Sequence, residues 1–427
     1  MLKKLEIILI CQLSVFCNVE CQSIASLLNT CHKSFTFNSF KASNNTIGTI
    51  LYDPNSENFQ LISTDSGGKT DQETISLSNS QLTNETPFIV YDSQSNPHIF
   101  FSQKGLEMIH LYKGDTGLWT EEVIFTLDKT AYPNLFCSIA QVGVGQDDSF
   151  HILSSDFYSI FYISNQHGHW DTTPQLLLEL PTEYVNIKFG WRISIRGNPS
   201  MAIDSANHIH VVYSTIYETQ YITNSPGYWL KEDIFRDQNM DDWLAETPSI
   251  AIDHNGNPAI AATEMNHALG GSVIYAKLTY LYRTAPNSWT VTTVAESADE
   301  YSGTDGNRFT GINPQLFFDA MNRPLILFSD MASSHNENGW NYTKNGQIRL
   351  ASLDGSIWDI ITIYRQSPYN GEMQQIWIDQ SSTEKRYTIF GLEIIRLGTV
   401  YELDRPATYN FLCLTNIEAD SVDVSIE

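Results

Sequence analysis

One pattern recurs along this chain and constrains its fold more than any other feature: two short apolar runs joined by a tight polar turn. The clearest copy lies within residues 247–263. There Pro248-Ser249-Ile250-Ala251-Ile252 and Pro258-Ala259-Ile260-Ala261-Ala262 flank the turn Asp253-His254-Asn255-Gly256-Asn257. Counted from the turn aspartate, Asp92, Asp204, Asp253 and Asp319 align without gaps, and Gly145 takes the same place. Five residues earlier stand Pro87, Pro199, Pro248 and Pro314, with Ala140 in the odd copy. Ten residues later every copy carries a hydroxyl: Ser102, Ser155, Ser214, Thr263 and Ser329. Runs rich in β-branched and aromatic residues, bounded by Pro, Asn, Asp and Gly, predict strands. Asx and Gly suit the turn because they tolerate positive φ, and an Asx side chain bonds its own backbone.

A second mark follows each hairpin, a strand pair whose turn ends in Trp: Gly117-Leu118-Trp119, Gly168-His169-Trp170, Gly227-Tyr228-Trp229, Asn287-Ser288-Trp289 and Ser356-Ile357-Trp358. Each unit therefore holds four strands. The turn positions 92, 145, 204, 253 and 319 lie 53, 59, 49 and 66 residues apart. A four-stranded unit repeating at roughly 40–50 residues predicts a β-propeller blade, the longer units carrying loop insertions. Segments 34–37, 48–52, 59–62 and 74–77 read as a further blade at the front, and 375–379, 386–392, 399–403 and 410–414 as one at the back. The expectation is an all-β fold: a single β-propeller over residues 22–415, with seven blades, or six if an end segment only completes its neighbour. A ring leaves few exposed sheet edges, which is how so much strand avoids edge-to-edge pairing.

Residues 1–21 read as a secretory signal: Lys3 and Lys4 precede an apolar run over 7–16 that is too short to span a bilayer. No later segment forms a long uncharged apolar span, so the expected location is extracellular, cell-surface or periplasmic. Cys31, Cys137 and Cys413 remain beyond that signal, an odd number that excludes a full disulfide framework; a Cys31–Cys413 staple across the ends is one reading and buried thiols the other. Asn44, Asn84 and Asn341 begin glycosylation sequons. Residues 416–427 form an acidic tail. The net charge of −25 argues against nucleic acid and anionic membranes, which demand a basic face.

The Gly-x-Trp turns and the Ala-Ile-Asp hairpins resemble bacterial-neuraminidase-type repeats, those of the sialidase-like propellers of secreted proteins, over about residues 85–365. The resemblance implies the fold. It does not extend to the catalytic motifs: Ser63-Thr64-Asp65-Ser66-Gly67-Gly68-Lys69-Thr70 approaches an Asp box but lacks its Trp, and Arg192-Ile193-Ser194 only echoes the Arg-Ile-Pro motif, too late in the chain. No catalytic residue is carried over.

In a propeller the loop entering each blade and the loop leaving its second strand share one face, at the mouth of the axis. That logic places Asp156, Glu264 and Asp330 near the mouth, with Arg192, Arg196, Arg236, Tyr301, Arg308, Arg365 and Trp340 on the loops around it. Arginines from several blades can clamp a carboxylate or sulfate bidentately, and aromatic rings can stack on sugars. The candidate ligand-binding set is therefore Arg192, Arg196, Arg236, Arg308, Glu264, Asp330, Tyr301 and Trp340. The leading expectation is non-catalytic binding of a glycan or another polar or anionic ligand at the mouth. The alternatives are a divergent sialidase-like glycoside hydrolase or lyase, which needs paired carboxylates, and a protein–protein scaffold. No cofactor is called for, and no metal site; calcium at the oxygen-rich Asp253 turn is the alternative to simple self-capping.

Overall fold

The computed structural model describes residues 37–418 apart from the connecting segments 42–45, 54–57, 65–69, 78–86, 104–105, 115–116, 129–137, 157, 181–194, 216–217, 237–241, 245–247, 268–272, 298–306, 337–338, 343–346, 366–370, 379–385 and 397–406. For residues 363–418, for the strands 37–41, 242–244 and 339–342, and for several other strand ends the description is of the backbone alone. The expected signal, Cys31, Cys137, the Asn44 and Asn84 sequons and most of the acidic tail lie outside it.

Among the described residues every regular element is a strand, and the strands form seven antiparallel sheets in chain order. They cover residues 37–76, 88–126, 139–179, 195–236, 242–296, 307–365 and 371–418, here called blades 1 to 7. Blades 1 to 4 have four strands, blades 5 and 6 have five, and blade 7 has three; the strand expected at 399–403 lies outside the described residues. The first strand of each blade lies beside that of the next from Phe37–Lys41 through Phe88–Tyr91, Ile139–Val144, Ile195–Ile203 and Ser249–Ile252 to Asn307–Phe318. Gly371–Ile378 of blade 7 lies beside Phe37–Lys41 of blade 1, which brings the last described blade to the first.

Among the described side chains there is no central core. The buried apolar clusters each lie between two neighbouring blades: Ile50, Phe59 and Ile75 against Ile99 and Phe101, Leu153 and Tyr162 against Met201 and Tyr213, Leu278 and Tyr280 against Ile326 and Phe328. Such packing is non-directional. The repeat residues supply the direction.

At the first turn of blades 2, 4, 5 and 6 the aspartate caps its own loop. Oδ1 accepts the amides two and four residues on: Gln94 and Asn96 on Asp92 (3.0 and 2.7 Å), Ala206 and His208 on Asp204 (both 2.8 Å), Asn255 and Asn257 on Asp253 (2.9 and 2.7 Å), Met321 and Arg323 on Asp319 (2.9 and 2.8 Å). In the Gly145 copy Asp147 Oδ1 does this for Ser149 N at 3.2 Å. An oxygen ringed by N–H donors is a cap, not a cation site. Three residues into each turn the backbone is left-handed, at Ser95, Asp148, Asn207, Gly256 and Asn322. These residues also reach across the seam. Asp148 accepts from Ser93 N (2.7 Å), Asn207 from Gln146 N (2.7 Å) and Asn322 from His254 N (2.7 Å). The belt breaks where Gly256 has no side chain to offer.

Further out, four of the five Trp residues of the second mark pack on the preceding blade and donate to its fourth strand: Trp119 to Glu73 (2.9 Å), Trp170 to Glu122 (3.2 Å), Trp229 to Gln175 (2.6 Å) and Trp289 to Glu232 (3.1 Å). Glu232 is fully buried and also takes Arg283 in two bonds of 3.2 and 2.6 Å. The acceptor sits opposite the aromatic residue the Trp covers, as Gln175 does opposite Tyr162 and Glu232 opposite Tyr221. Blade 5 has Thr292 at that place, opposite Tyr280, and the Nε1 of Trp358 is buried without a partner.

Two substitutions test these ties. Thr292→Gln supplies the missing acceptor and should raise unfolding stability by about 1 kcal/mol. Glu232→Ala strands the Arg283 charge and the Trp289 N–H and should cost roughly 3–5 kcal/mol. Denaturant unfolding reads both; an unchanged midpoint for Glu232→Ala would show that the outer tie does not hold the ring.

Candidate functional site

The two ends of the ring differ. In blades 2 to 6 one carries the first turns, the self-capped and stitched loops described above, and the third turns. The other carries the blade entries and the second turns, where the sequence places its ligand-binding candidates.

At that second end, the segments expected as loops are partly strand. In blade 5 the second strand, Pro258–His267, runs past Glu264 and pairs with an added strand, Asp242–Leu244, as well as with Val273–Ala285. In blade 6 Pro324–Asn336 continues past Asp330 into a hairpin with Gly339–Tyr342, where Trp340 pairs with His335. These ribbons extend the blades beyond the mouth.

The backbone registers bring several candidates to the same end. Arg196 lies opposite Ser214, Arg236 opposite Glu218, Arg308 opposite Ala332 and Asp330 opposite Gln347. Arg192 and Tyr301 lie outside the described residues, as do the side chains of Arg196, Arg236, Arg308, Trp340 and Arg365. Both carboxylates are described, and each is held within its own blade. Glu264 accepts Thr279 Oγ1 at 2.7 Å and stands 3.6 Å from Lys277 Nζ. Asp330 accepts Thr310 Oγ1 at 2.5 Å and Arg349 Nη1 at 3.0 Å. Asp156 caps the second turn of blade 3 through Tyr158 N and Ser159 N, both at 2.7 Å. The hydroxyls that recur ten residues after the turn position diverge: Thr263 donates to the Gly311 carbonyl of blade 6, Ser214 bonds Thr219 Oγ1 at 3.0 Å, and Ser102 Oγ is buried with no partner.

Sequence reading missed a histidine six residues after the turn position in three blades, at His98, His151 and His210. Each reaches the third strand: His98 Nδ1 to His110 Nε2 at 2.9 Å, His151 Nδ1 to Tyr162 at 2.6 Å, His210 Nδ1 to Tyr221 at 2.5 Å. On the other side His151 bonds Ser149 at 2.8 Å and His210 approaches Asp204 at 3.4 Å. Burial disfavours the imidazolium, holding His110 at about 3 and His151 and His210 at about 4, and lowering His98 as well. These are neutral internal struts.

The first end also holds a cleft that sequence reading missed, between blades 3 and 4, with a volume of about 520 Å3. It is lined by the third turn of blade 3 and the first and third turns of blade 4, with His167, Asp171, His208, Asn224, Tyr228 and Trp229 among its walls.

No family model matches the chain, and no curated protein does. Solved structures do. The polysaccharide lyase Uly1 superposes with a TM-score of 0.54 at 9% identity, over 88% of this chain and 89% of that one. The chain is a β-propeller. Two other propeller matches are weaker: the α-L-arabinofuranosidase Arb93A from Fusarium graminearum (TM-score 0.44, 10% identity, 89% and 92% covered) and the periplasmic gluconolactonase PpgL of Pseudomonas aeruginosa (0.45, 8%, 90% and 97%). At these identities the likeness is one of fold. The lyase is not a sialidase by its name, and what is shown of the neuraminidase-type resemblance is the propeller architecture. No helix among the described residues of the propeller is long and apolar enough to cross a membrane.

The histidine struts give the propeller a pH dependence. Their folded values lie below the ordinary value near 6.5, so the unfolded chain takes up protons first as pH falls. Stability should therefore hold above about pH 7 and fall between pH 6.5 and 4, by roughly 3 kcal/mol for each of His151 and His210 at the lower limit. Melting curves across that range check it, and a His151→Gln, His210→Gln double variant should lose less stability over the same interval.

Proposed function

We propose that this propeller is a secreted binding protein that takes a glycan or another polar or anionic ligand at the mouth carrying Glu264 and Asp330, without catalysis. The observation that carries the reading is the state of those two carboxylates. Lys277 and Thr279 hold one, Arg349 and Thr310 hold the other. A glycosidase needs one carboxyl free to protonate the leaving group and another to attack or activate water. Carboxylates locked into local ion pairs suit a fixed polar surface instead. Arg192, Arg196, Arg236 and Arg308 are the residues for the ligand's negative groups, and Tyr301 and Trp340 those for its rings. Loops and ribbons standing on a rigid scaffold are where binding residues gather. The fold likeness to a protein named as a polysaccharide lyase agrees with a sugar ligand and keeps a lyase or hydrolase as the second reading.

An oligogalacturonate titration separates the two. Binding should weaken with salt, and Arg308→Ala and Trp340→Ala should each lower affinity about tenfold, one charge-assisted or stacking contact of roughly 1.4 kcal/mol. No unsaturated or shortened product should accumulate. Product formation would move the protein to the enzymatic reading.

A further inference from the structure

The cleft between blades 3 and 4 belongs to the end of the ring away from the mouth, so what it binds is independent of the function proposed above. Its volume of about 520 Å3 lies within the range of small-molecule sites. Its floor and walls are made of groups whose structural duties leave one hydrogen-bonding atom each. Asn207 uses Oδ1 for Gln146 N, and Asn224 uses Oδ1 for Ile209 N (2.7 Å), which leaves the two Nδ2 amides as donors. Asp171 uses Oδ2 for Ser164 N and Oγ (2.9 and 3.0 Å), which leaves Oδ1 as an acceptor. His208 Nδ1 pairs with Asp204 at 2.8 Å, which leaves Nε2. Beside them Tyr228 stands 63% exposed next to Trp229, whose indole is fixed by its bond to Gln175.

We propose that this cleft is a subsite for a neutral pyranose. Donors and acceptors side by side in one cleft match the hydroxyls of a sugar ring, each of which can both give and accept, and the exposed Tyr228 offers a flat face to its C–H groups. Charge selects against acidic sugars: the walls contain Asp171 and no lysine or arginine, so a uronate or sialoside would face an uncompensated carboxylate. The mouth and the cleft therefore take sugars of opposite character, acidic and neutral.

The test is a saturation-transfer NMR titration of the full chain with cellotetraose, alongside tetragalacturonate. Tyr228 and His167 are both exposed, so Tyr228→Ala and His167→Ala leave the fold intact. Tyr228→Ala should weaken cellotetraose binding about fivefold or more and His167→Ala should weaken it too. Both should leave tetragalacturonate binding unchanged, and Arg308→Ala should leave cellotetraose binding unchanged. The proposal is overturned if cellotetraose does not bind, or binds the wild type and both cleft variants equally, or is lost with Arg308→Ala. The tetragalacturonate signal reports on the mouth separately, so failure of one site is not mistaken for failure of the other.

Discussion

The seam between two blades is the interaction on which this structure depends. Hydrophobic burial is the larger energy, but it acts at any rotation of one sheet on another. Fixing the rotation falls to hydrogen bonds at three distances from the axis. Nearest the axis, Gln141 makes a two-way bond with the Met201 backbone (2.9 and 2.6 Å), and Ser200 and Ser249 accept the amides of Ile250 (3.3 Å) and Leu316 (3.0 Å). Next comes the belt of turn side chains, and outermost the indole ties. A residue that caps its own turn, or packs as an aromatic, thereby also sets the pitch of the ring.

Much of this was legible in the sequence because repetition amplifies weak local signals. The turn aspartates, the buried prolines before them and the Gly-x-Trp turns recur at fixed offsets, and together they specified four-stranded blades, with the count left at seven or six by the fainter end segments. What stayed hidden is what acts between copies. Asp148, Asn207 and Asn322 read only as turn formers, because their partners are 55, 61 and 68 residues away. The strut histidines occur in three blades and give way to Ala259 and Leu325 in the next two, so alignment by shared positions passes over them. At the mouth, sequence reading placed Glu264 and Asp330 at one end of the strands. It did not see that Lys277 and Arg349, on the next strand of the same blade, would engage them. The polar composition of 331–342 suggested a loop, whereas pairing with its own hairpin partner makes strand of it.

The two ends of the ring follow different design rules. Where turns are short, capped and stitched to their neighbours, sequence variation is confined to single side chains, and the cleft between blades 3 and 4 arises from what those side chains leave unused. Where ribbons and long entries stand free of the stitching, whole segments vary. A ligand at the first end meets a preformed surface, and a ligand at the second meets elements that differ from blade to blade.

The missing stitches fall in complementary places. The seam between blades 4 and 5 lacks its belt bond at Gly256 but carries the Arg283–Glu232–Trp289 tie. The next seam has an unpartnered Trp358 indole but keeps the His254–Asn322 belt bond and the Thr263 bond to Gly311. A closed ring resists expansion as a hoop does, and a hoop fails where its joints are weakest. Spreading the defects so that neither seam has two leaves no ready fracture point between blades 4 and 6, and thermal opening there must break several joints together instead of one.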